Sequence, residues 1–258
     1  MEKNEEIISS ISYAQQIQNA VLPFQHTIDA IIPNSFILYK PRGIVSGDFY
    51  WLHEINKDNY IIVCADCTGH GVPGAFMTFI GNNSLSQIVV EGKTTEPVQI
   101  LTELDKKITA TLKQEKATLA LVQDGMDLSL LKVNKETKEF IFTSAKRSAI
   151  LIRNTGELQE LKGSKFSLGG IHVAEKLFYE QQIKYKEGDM IYLFTDGYID
   201  QFGVKSDKKF MIKRFRELLS TIYHLPLNEQ RQKLEFVIEQ WKGNIQQTDD
   251  ILVMGIKL

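Results

Sequence analysis

Apolar residues recur along the chain with two different periods. Between residues 4 and 22, Ile7, Ile11, Ala14, Gln18 and Val21 return at three- and four-residue spacing, with Ile8 and Ile17 beside them. That period predicts an amphipathic helix, which Leu22-Pro23 ends. A single apolar stripe must pack on something: its own domain, a second copy of the chain, or a domain outside this sequence. An ordinary packing helix and a dimer or signal-relay helix both fit. From Ser35 the pattern becomes that of strands: Phe36–Tyr39, then Val45–Leu52 after a Pro41-Arg42-Gly43 turn, then Tyr60–Ala65. Asn56-Lys57-Asp58-Asn59 reads as the hairpin loop between the last two.

Residues 73–90 predict a helix with Phe76, Phe79, Ile80 and Ile88 apolar, opened by Pro73 at its first position. Residues 97–113 predict another, with Ile100, Leu101, Leu104 and Ile108 on one face. Strands are expected at 118–123, 127–133, 138–144 and 148–153, with turns at Asp124-Gly125 and Asn154-Thr155-Gly156. Two more, 178–185 and 190–195, are joined by Lys186-Glu187-Gly188-Asp189. Residues 208–241 read as mostly helical and 251–257 as a last strand. Strands in runs with helices between them argue for α+β layers rather than alternating βα units. Residues 1–23 separate as a helical extension from a domain over 24–258.

Composition narrows the partners. Hydrophobic residues are 43% and charged residues 24%, as in a globular protein with a real core. A formal net charge of −2 gives no electrostatic reason to expect nucleic acid. No 18-residue apolar run is present to span a membrane, and Met-Glu-Lys-Asn-Glu-Glu lacks the layout of a signal peptide. A reduced, cytoplasmic protein is the expectation. Cys64 and Cys67, the only cysteines, are spaced C-x-x-C, but no second ligand pair accompanies them for zinc. His53, His70, His172 and His224 have no metal-ligand spacing and read as structural or surface residues.

The chemistry lies where strands end. Tyr60–Ala65 delivers Asp66 into a turn containing Gly69 and Gly71. Ile191–Thr195 delivers Asp196-Gly197 in the same way, with Asp200 four residues on. Thr248-Asp249-Asp250 precedes the final strand, and a hairpin of 48–52 with 60–65 would bring Asp48 to the end that carries Asp66. Each aspartate alone is most simply a turn residue. Four such places on one sheet edge would repel unless cations neutralised them, and oxygen-only donors suit Mg²⁺ or Mn²⁺ rather than zinc.

Four segments together resemble the motifs of the metal-dependent serine/threonine protein phosphatases (PPM, type 2C-like), in their bacterial SpoIIE/RsbU-like branch. They are Ser46-Gly47-Asp48-Phe49-Tyr50-Trp51, the run Ala65-Asp66-Cys67-Thr68-Gly69-His70-Gly71-Val72-Pro73-Gly74-Ala75, Phe194-Thr195-Asp196-Gly197 and Thr248-Asp249-Asp250. Tyr13–Gln18 with Leu22-Pro23 resembles the helix that precedes such domains. The resemblance implies an α+β fold, an antiparallel β-sandwich with helices on both faces in four α-β-β-α layers. It implies two Mn²⁺ or Mg²⁺ ions. Asp66 would bridge them, Asp48 and the Cys67 backbone carbonyl would hold one, and Asp196 and Asp249 the other. Cys67 stands where many relatives have glycine, so the backbone there must suit a side chain. Asp250 is either an alternative ligand or a support behind the site, and Asp200 matches the position of a ligand for a weaker third metal. Arg42, six residues before Asp48, is a candidate for the substrate phosphate or a plain surface charge.

The implied reaction is attack of metal-activated water on a phosphoserine or phosphothreonine protein, with no Ser, Cys or His nucleophile. A role in bacterial signalling of the partner-switching type is implied by resemblance alone, with small phosphorylated antagonists of anti-sigma factors as typical substrates. Lys205, Lys208, Lys209, Lys213, Arg214 and Arg216 could form a basic helix beside the site that receives a phosphoprotein, or a solvated face. Two other readings stand beside this one: a catalytically silent binding or sensor module of the same fold, and a two-metal hydrolase of another phosphoester.

Overall fold

A computed structural model describes residues 2–115, 122–170, 175–204 and 208–258. The chain begins with α1 (Glu2–Val21) and α2 (Gln25–Ile31), then β1 (Ser35–Lys40), β2 (Asp48–Asn56) and β3 (Asn59–Cys67). Helix α3 (Gly71–Leu85) runs on through a π-helical turn, Ser86–Glu91, before α4 (Pro97–Thr111). Strands β4 (Gly125–Asn134), β5 (Glu139–Ala145), β6 (Ala149–Ile152), β7 (Leu158–Leu161), β8 (Leu168–Gly169), β9 (Glu180–Lys184) and β10 (Met190–Phe194) follow. The chain closes with α5 (Gly197–Asp200), α6 (Met211–Ile222), α7 (Leu227–Lys242) and β11 (Ile251–Lys257).

The strands form two antiparallel sheets, ordered β1-β11-β10-β6-β7 and β2-β3-β4-β5-β9, with β8 beside β4. Period-two alternation sorts each strand onto two faces. On β3, Ile61, Val63, Ala65 and Cys67 pack with Leu101 and Leu104 of α4 and Met77 of α3, while Tyr60, Ile62 and Cys64 face the other sheet. On β10, Ile191 and Leu193 look into the space between the sheets, and Met190, Tyr192 and Phe194 look toward α6 and α7. The result is four layers, α-β-β-α, as the resemblance implies. Strands β3, β6, β10 and β11 are buried on both sides, which is why they read as near-continuous apolar runs.

Several local expectations change. Helix α3 starts at Gly71, two residues before Pro73, with His70 as its N-cap. Pro73 thus sits inside the first turn, where its missing N–H costs nothing. Phe76 and Phe79 are 70% and 54% exposed, while Ile88 is buried with Met77 and Leu85 in the core and Ile80 packs against it. Gly125 belongs to β4 rather than a turn, because β8 crosses so close that a Cβ would collide with the Leu168 carbonyl. β9 and β10 lie in different sheets, so the 186–189 turn links the layers instead of closing a hairpin. Of the strand expected at 118–123, residues 118–121 lie outside the described residues, as do His172 and Lys205, while Val122 and Gln123 are not strand. Elements α2, β7 and β8 were not foreseen.

Candidate active site

Register builds the site. In the pairing of β2 with β3, Asp48 stands opposite Asp66; in that of β3 with β4, Asp66 stands opposite Asp127. Three aspartates therefore form one row across three strands. Each has the parity of the side chains that face the second sheet, so the row lines the mouth of the sandwich. From the other sheet come Thr195 and Asp196, just past β10, and Asp249-Asp250, just before β11.

Asp48 is buried, and Thr195 donates its hydroxyl to Asp48 Oδ2 across the two sheets at 2.6 Å. Burial first, and then the neighbouring Asp66 charge, push its carboxyl well above the usual range. Asp66 is pushed up to about 7 by burial, with Asp196, Asp127 and Asp249 adding to the rise and Arg147 opposing it. Arg147 Nη2 lies 2.5 Å from Asp66 Oδ2, 2.8 Å from Asp196 Oδ2 and 3.3 Å from Asp127 Oδ2. Asp249 accepts the Asp250 amide at 2.9 Å; burial raises its carboxyl, that amide hydrogen bond opposes the rise, and Asp196 adds to it.

The two aspartates at 249–250 divide the work. Asp250 accepts the backbone amides of Arg42 at 2.6 Å and Gly47 at 2.7 Å, which ties down the loop entering β2. Its oxygens are committed to that loop. Arg42 contributes this amide, while its side chain is exposed. Asp200 ends α5 in an ion pair with Lys209 at 2.7 Å. Cys67 has ordinary strand backbone, and its thiol packs in the core between β3 and α3. Cys64, three residues earlier, points into the opposite core, so the C-x-x-C pair does not converge. Burial pushes both thiols up.

The turn after β3 is tightly nested. Gly69 (φ +85°) and Gly71 (φ +65°) adopt conformations that side chains resist. The Gly69 carbonyl occupies the space where a Cβ on Gly47 or Gly74 would sit. Of the basic residues expected beside the site, Lys209 holds Asp200, whereas Arg214 lies over the Trp241 ring, 4.9 Å from its centroid, and Arg216 pairs with Glu160.

Three contributors escaped the sequence reading: Asp127, Thr195 as a partner of Asp48, and Arg147. Asp127 lies within a strand rather than at a visible end, and only its register opposite Asp66 reveals it. Arg147 sits in the short crossing from β5 to β6, with no motif to mark it.

The donor set is all oxygen, negatively charged and partly desolvated, which is the chemistry of a hard divalent cation. Among the described residues no three His, Cys, Asp or Glu side chains enclose a metal ion by themselves. Asp66, Asp127 and Asp196 are instead spread around a cation of the chain's own, Arg147. The residues fit a cation, and the structure already holds one among them.

A four-layer sandwich with aspartates from both sheets at one mouth defines a PP2C-type phosphatase domain. The family model described as Stage II sporulation protein E (SpoIIE) matches residues 56–258, and the chain belongs to that family. The chain is similar to the SiaA-PP2C domain of Pseudomonas aeruginosa, with 32% identity and a TM-score of 0.87 over 99% of this chain and 98% of that one. It is also 22% identical to the phosphoserine phosphatase RsbP of Bacillus subtilis (strain 168) over 191 residues, 74% of this chain and 45% of RsbP. It thus spans under half the length of that curated relative. RsbX, solved in complex with magnesium, shares the fold at 17% identity and a TM-score of 0.58, over 87% of this chain and 94% of RsbX.

Proposed function

We propose that the protein is a Mn²⁺- or Mg²⁺-dependent phosphatase of phosphoserine or phosphothreonine in proteins. The observation that carries this reading is the convergence of Asp48, Asp66 and Asp196 from two sheets on one cation-demanding mouth. Membership of the SpoIIE family and similarity to a phosphoserine phosphatase support it.

Asp66, at the centre of the row, would bridge two ions. Asp48 and the Cys67 carbonyl would serve one ion, and Asp196 and Asp249 the other. When bound, two such ions supply charge neutralisation for a phosphate and a lowered pKa for water. The chain's own part is orientation. Thr195 fixes the Asp48 carboxylate, and Asp250 fixes the loop that carries it. Asp200 would have to leave Lys209 to serve a third ion. The thiols of Cys64 and Cys67 are turned into hydrophobic cores, which leaves them unsuited to nucleophilic attack.

The substrate class that suits this reading is a phosphoprotein of a bacterial partner-switching pathway, in the cytoplasm. Helix α1 would join the domain to a second copy or to a sensor domain. Among the described residues no helix is long and apolar enough to cross a membrane. Hydrolysis of a phosphoserine peptide by the purified protein, with Mn²⁺, with Mg²⁺ and with EDTA, tests the reading. Turnover with metal that EDTA abolishes is expected. A folded protein without turnover under either metal would favour a silent binding module.

A further inference from the structure

Arg147 is delivered to the acidic mouth by a firmly held piece of backbone. It lies in the three-residue crossing between β5 and β6, where the chain passes from one sheet to the other. Lys146 takes a positive φ of 65°, and its amide donates to the Ser164 carbonyl at 2.8 Å. The Arg147 amide donates to the Ala145 carbonyl at 2.8 Å, and its carbonyl accepts the Ser144 hydroxyl. With the backbone fixed on both sides, the side chain starts from a set position beside the mouth. Its Nη2 alone reaches Asp66, Asp127 and Asp196, residues of β3, β4 and the end of β10.

This arrangement is poorly balanced as a permanent structure. A single guanidinium faces Asp66, Asp127 and Asp196, with Asp48 in register beside them. The guanidinium is itself largely buried, with its side chain 19% exposed, and its Nε is buried without a hydrogen-bond partner. A buried donor left unpaired in this way costs free energy that a fully built ion-pair network would not incur. The partners are also unequal. Asp66 and Asp196 are the carboxylates assigned to metal, whereas Asp127 is shared with Lys146, whose Nζ lies 3.4 Å away. Neutralising Asp66 and Asp196 with divalent ions would remove two of the three attractions holding the guanidinium and add like-charge repulsion.

We propose that Arg147 is the resident counter-cation of the metal-free site, so that loading of divalent metal and release of Arg147 are one coupled exchange. The proposal rests on the two-metal reading above. Arg147 then keeps the carboxylates folded together when metal is scarce, and it lowers apparent metal affinity because each loading event must displace it.

The test measures metal binding rather than turnover. Calorimetric titration of Mn²⁺ into the wild type and into Arg147→Met, a variant of similar length without charge, should show tighter binding by the variant. A gain of about tenfold or more is expected, the worth of one charge-assisted hydrogen bond. The metal-free variant should melt below the metal-free wild type, and the gap should narrow at saturating Mn²⁺. Equal or weaker binding by the variant, with binding by the wild type intact, overturns the proposal and leaves the metal reading standing. Absence of binding by both proteins overturns the metal reading and the exchange with it. If Arg147→Met does not fold, the wild type decides. The ¹⁵N-labelled Nε–H resonance of Arg147 should shift in step with Mg²⁺ loading of the site, and a resonance unmoved at saturation overturns the exchange.

Discussion

The carboxamide of Gln18 closes on the backbone of Ser46 from both sides. Nε2 donates to the Ser46 carbonyl at 2.7 Å, and Oε1 accepts the Ser46 amide at 3.0 Å. Ser46 in turn accepts the Asp48 amide on its hydroxyl at 3.0 Å, and Thr78 of α3 reaches the Ser46 and Gly47 carbonyls at 3.2 Å. Helix α1 is therefore fastened to the segment that positions Asp48. Gln18→Ala leaves the buried Ser46 amide without a partner and its carbonyl with Thr78 alone, and a loss of about 1–2 kcal/mol is expected. Thermal unfolding should show a melting temperature lower by a few degrees, together with reduced turnover. An unchanged melting temperature would mean that α1 is not held there in solution.

Arg42 and Asp250 should respond in opposite ways to truncation. The Arg42 side chain is exposed, and only its amide enters the site. Asp250 is 2% exposed, and its two oxygens take the amides of Arg42 and Gly47. Arg42→Ala is expected to change stability by less than about 0.5 kcal/mol. Asp250→Ala strands the buried Gly47 amide and the part-buried Arg42 amide and should cost roughly 2–4 kcal/mol, with loss of activity. Urea unfolding of the two variants checks this pair.

Close backbone approach makes Gly74 sensitive. A Cβ there would meet Gly47 Cα at 2.8 Å and press harder still on the Gly69 carbonyl, and backbone atoms cannot step aside as a side-chain tip can. Gly74→Ala should cost about 1–3 kcal/mol. It should also weaken stabilisation by Mn²⁺, because the shift falls on the turn that follows Asp66. Melting curves with and without Mn²⁺ measure both effects.

Away from the site, Asp189 sets an acid limit on stability. It is fully buried and accepts the amides of Lys186 at 3.0 Å and Asn154 at 2.9 Å, and the Arg153 guanidinium at 2.9 Å. Burial alone would raise its carboxyl, but those hydrogen bonds and the Arg153 charge bring it below the ordinary value. A depressed folded pKa gives stability that is complete above the unfolded value, about 3.9, and is lost as pH falls through the lower folded one. Asp189→Asn should therefore cost roughly 2–3 kcal/mol at pH 7, and the gap from wild type should close below about pH 4. Urea midpoints at pH 7, 5 and 3 follow that window.

Much of this was legible because strands buried on both faces announce themselves. Ile61–Ala65, Ile191–Phe194 and Ile251–Met254 are apolar runs that break at an acidic flank, so Asp66, Asp196 and Asp249-Asp250 were visible as a set. Asp48 was placed by assuming one hairpin, and that hairpin forms with Asp48 opposite Asp66. What stayed hidden depends on neighbours distant in sequence. Asp127 looks like one more polar residue in a strand until register sets it beside Asp66. Arg147 reaches the site only because a short crossing carries the chain between sheets. Phe76 and Phe79 misled, since hydrophobic character alone does not say which face of α3 meets the sheet. Met77 and Leu85 take that role.

The measurement that tests the central claim most directly is turnover of a phosphoserine peptide by wild type and Asp66→Asn, side by side in Mn²⁺. Asp66 stands at the middle of the row and closest to Arg147, so its amide analogue keeps the shape and removes the charge. Metal-dependent release of phosphate by the wild type, reduced at least about a thousandfold in a folded Asp66→Asn, is the result predicted. Equal turnover by the two proteins would contradict a reaction centred on these carboxylates.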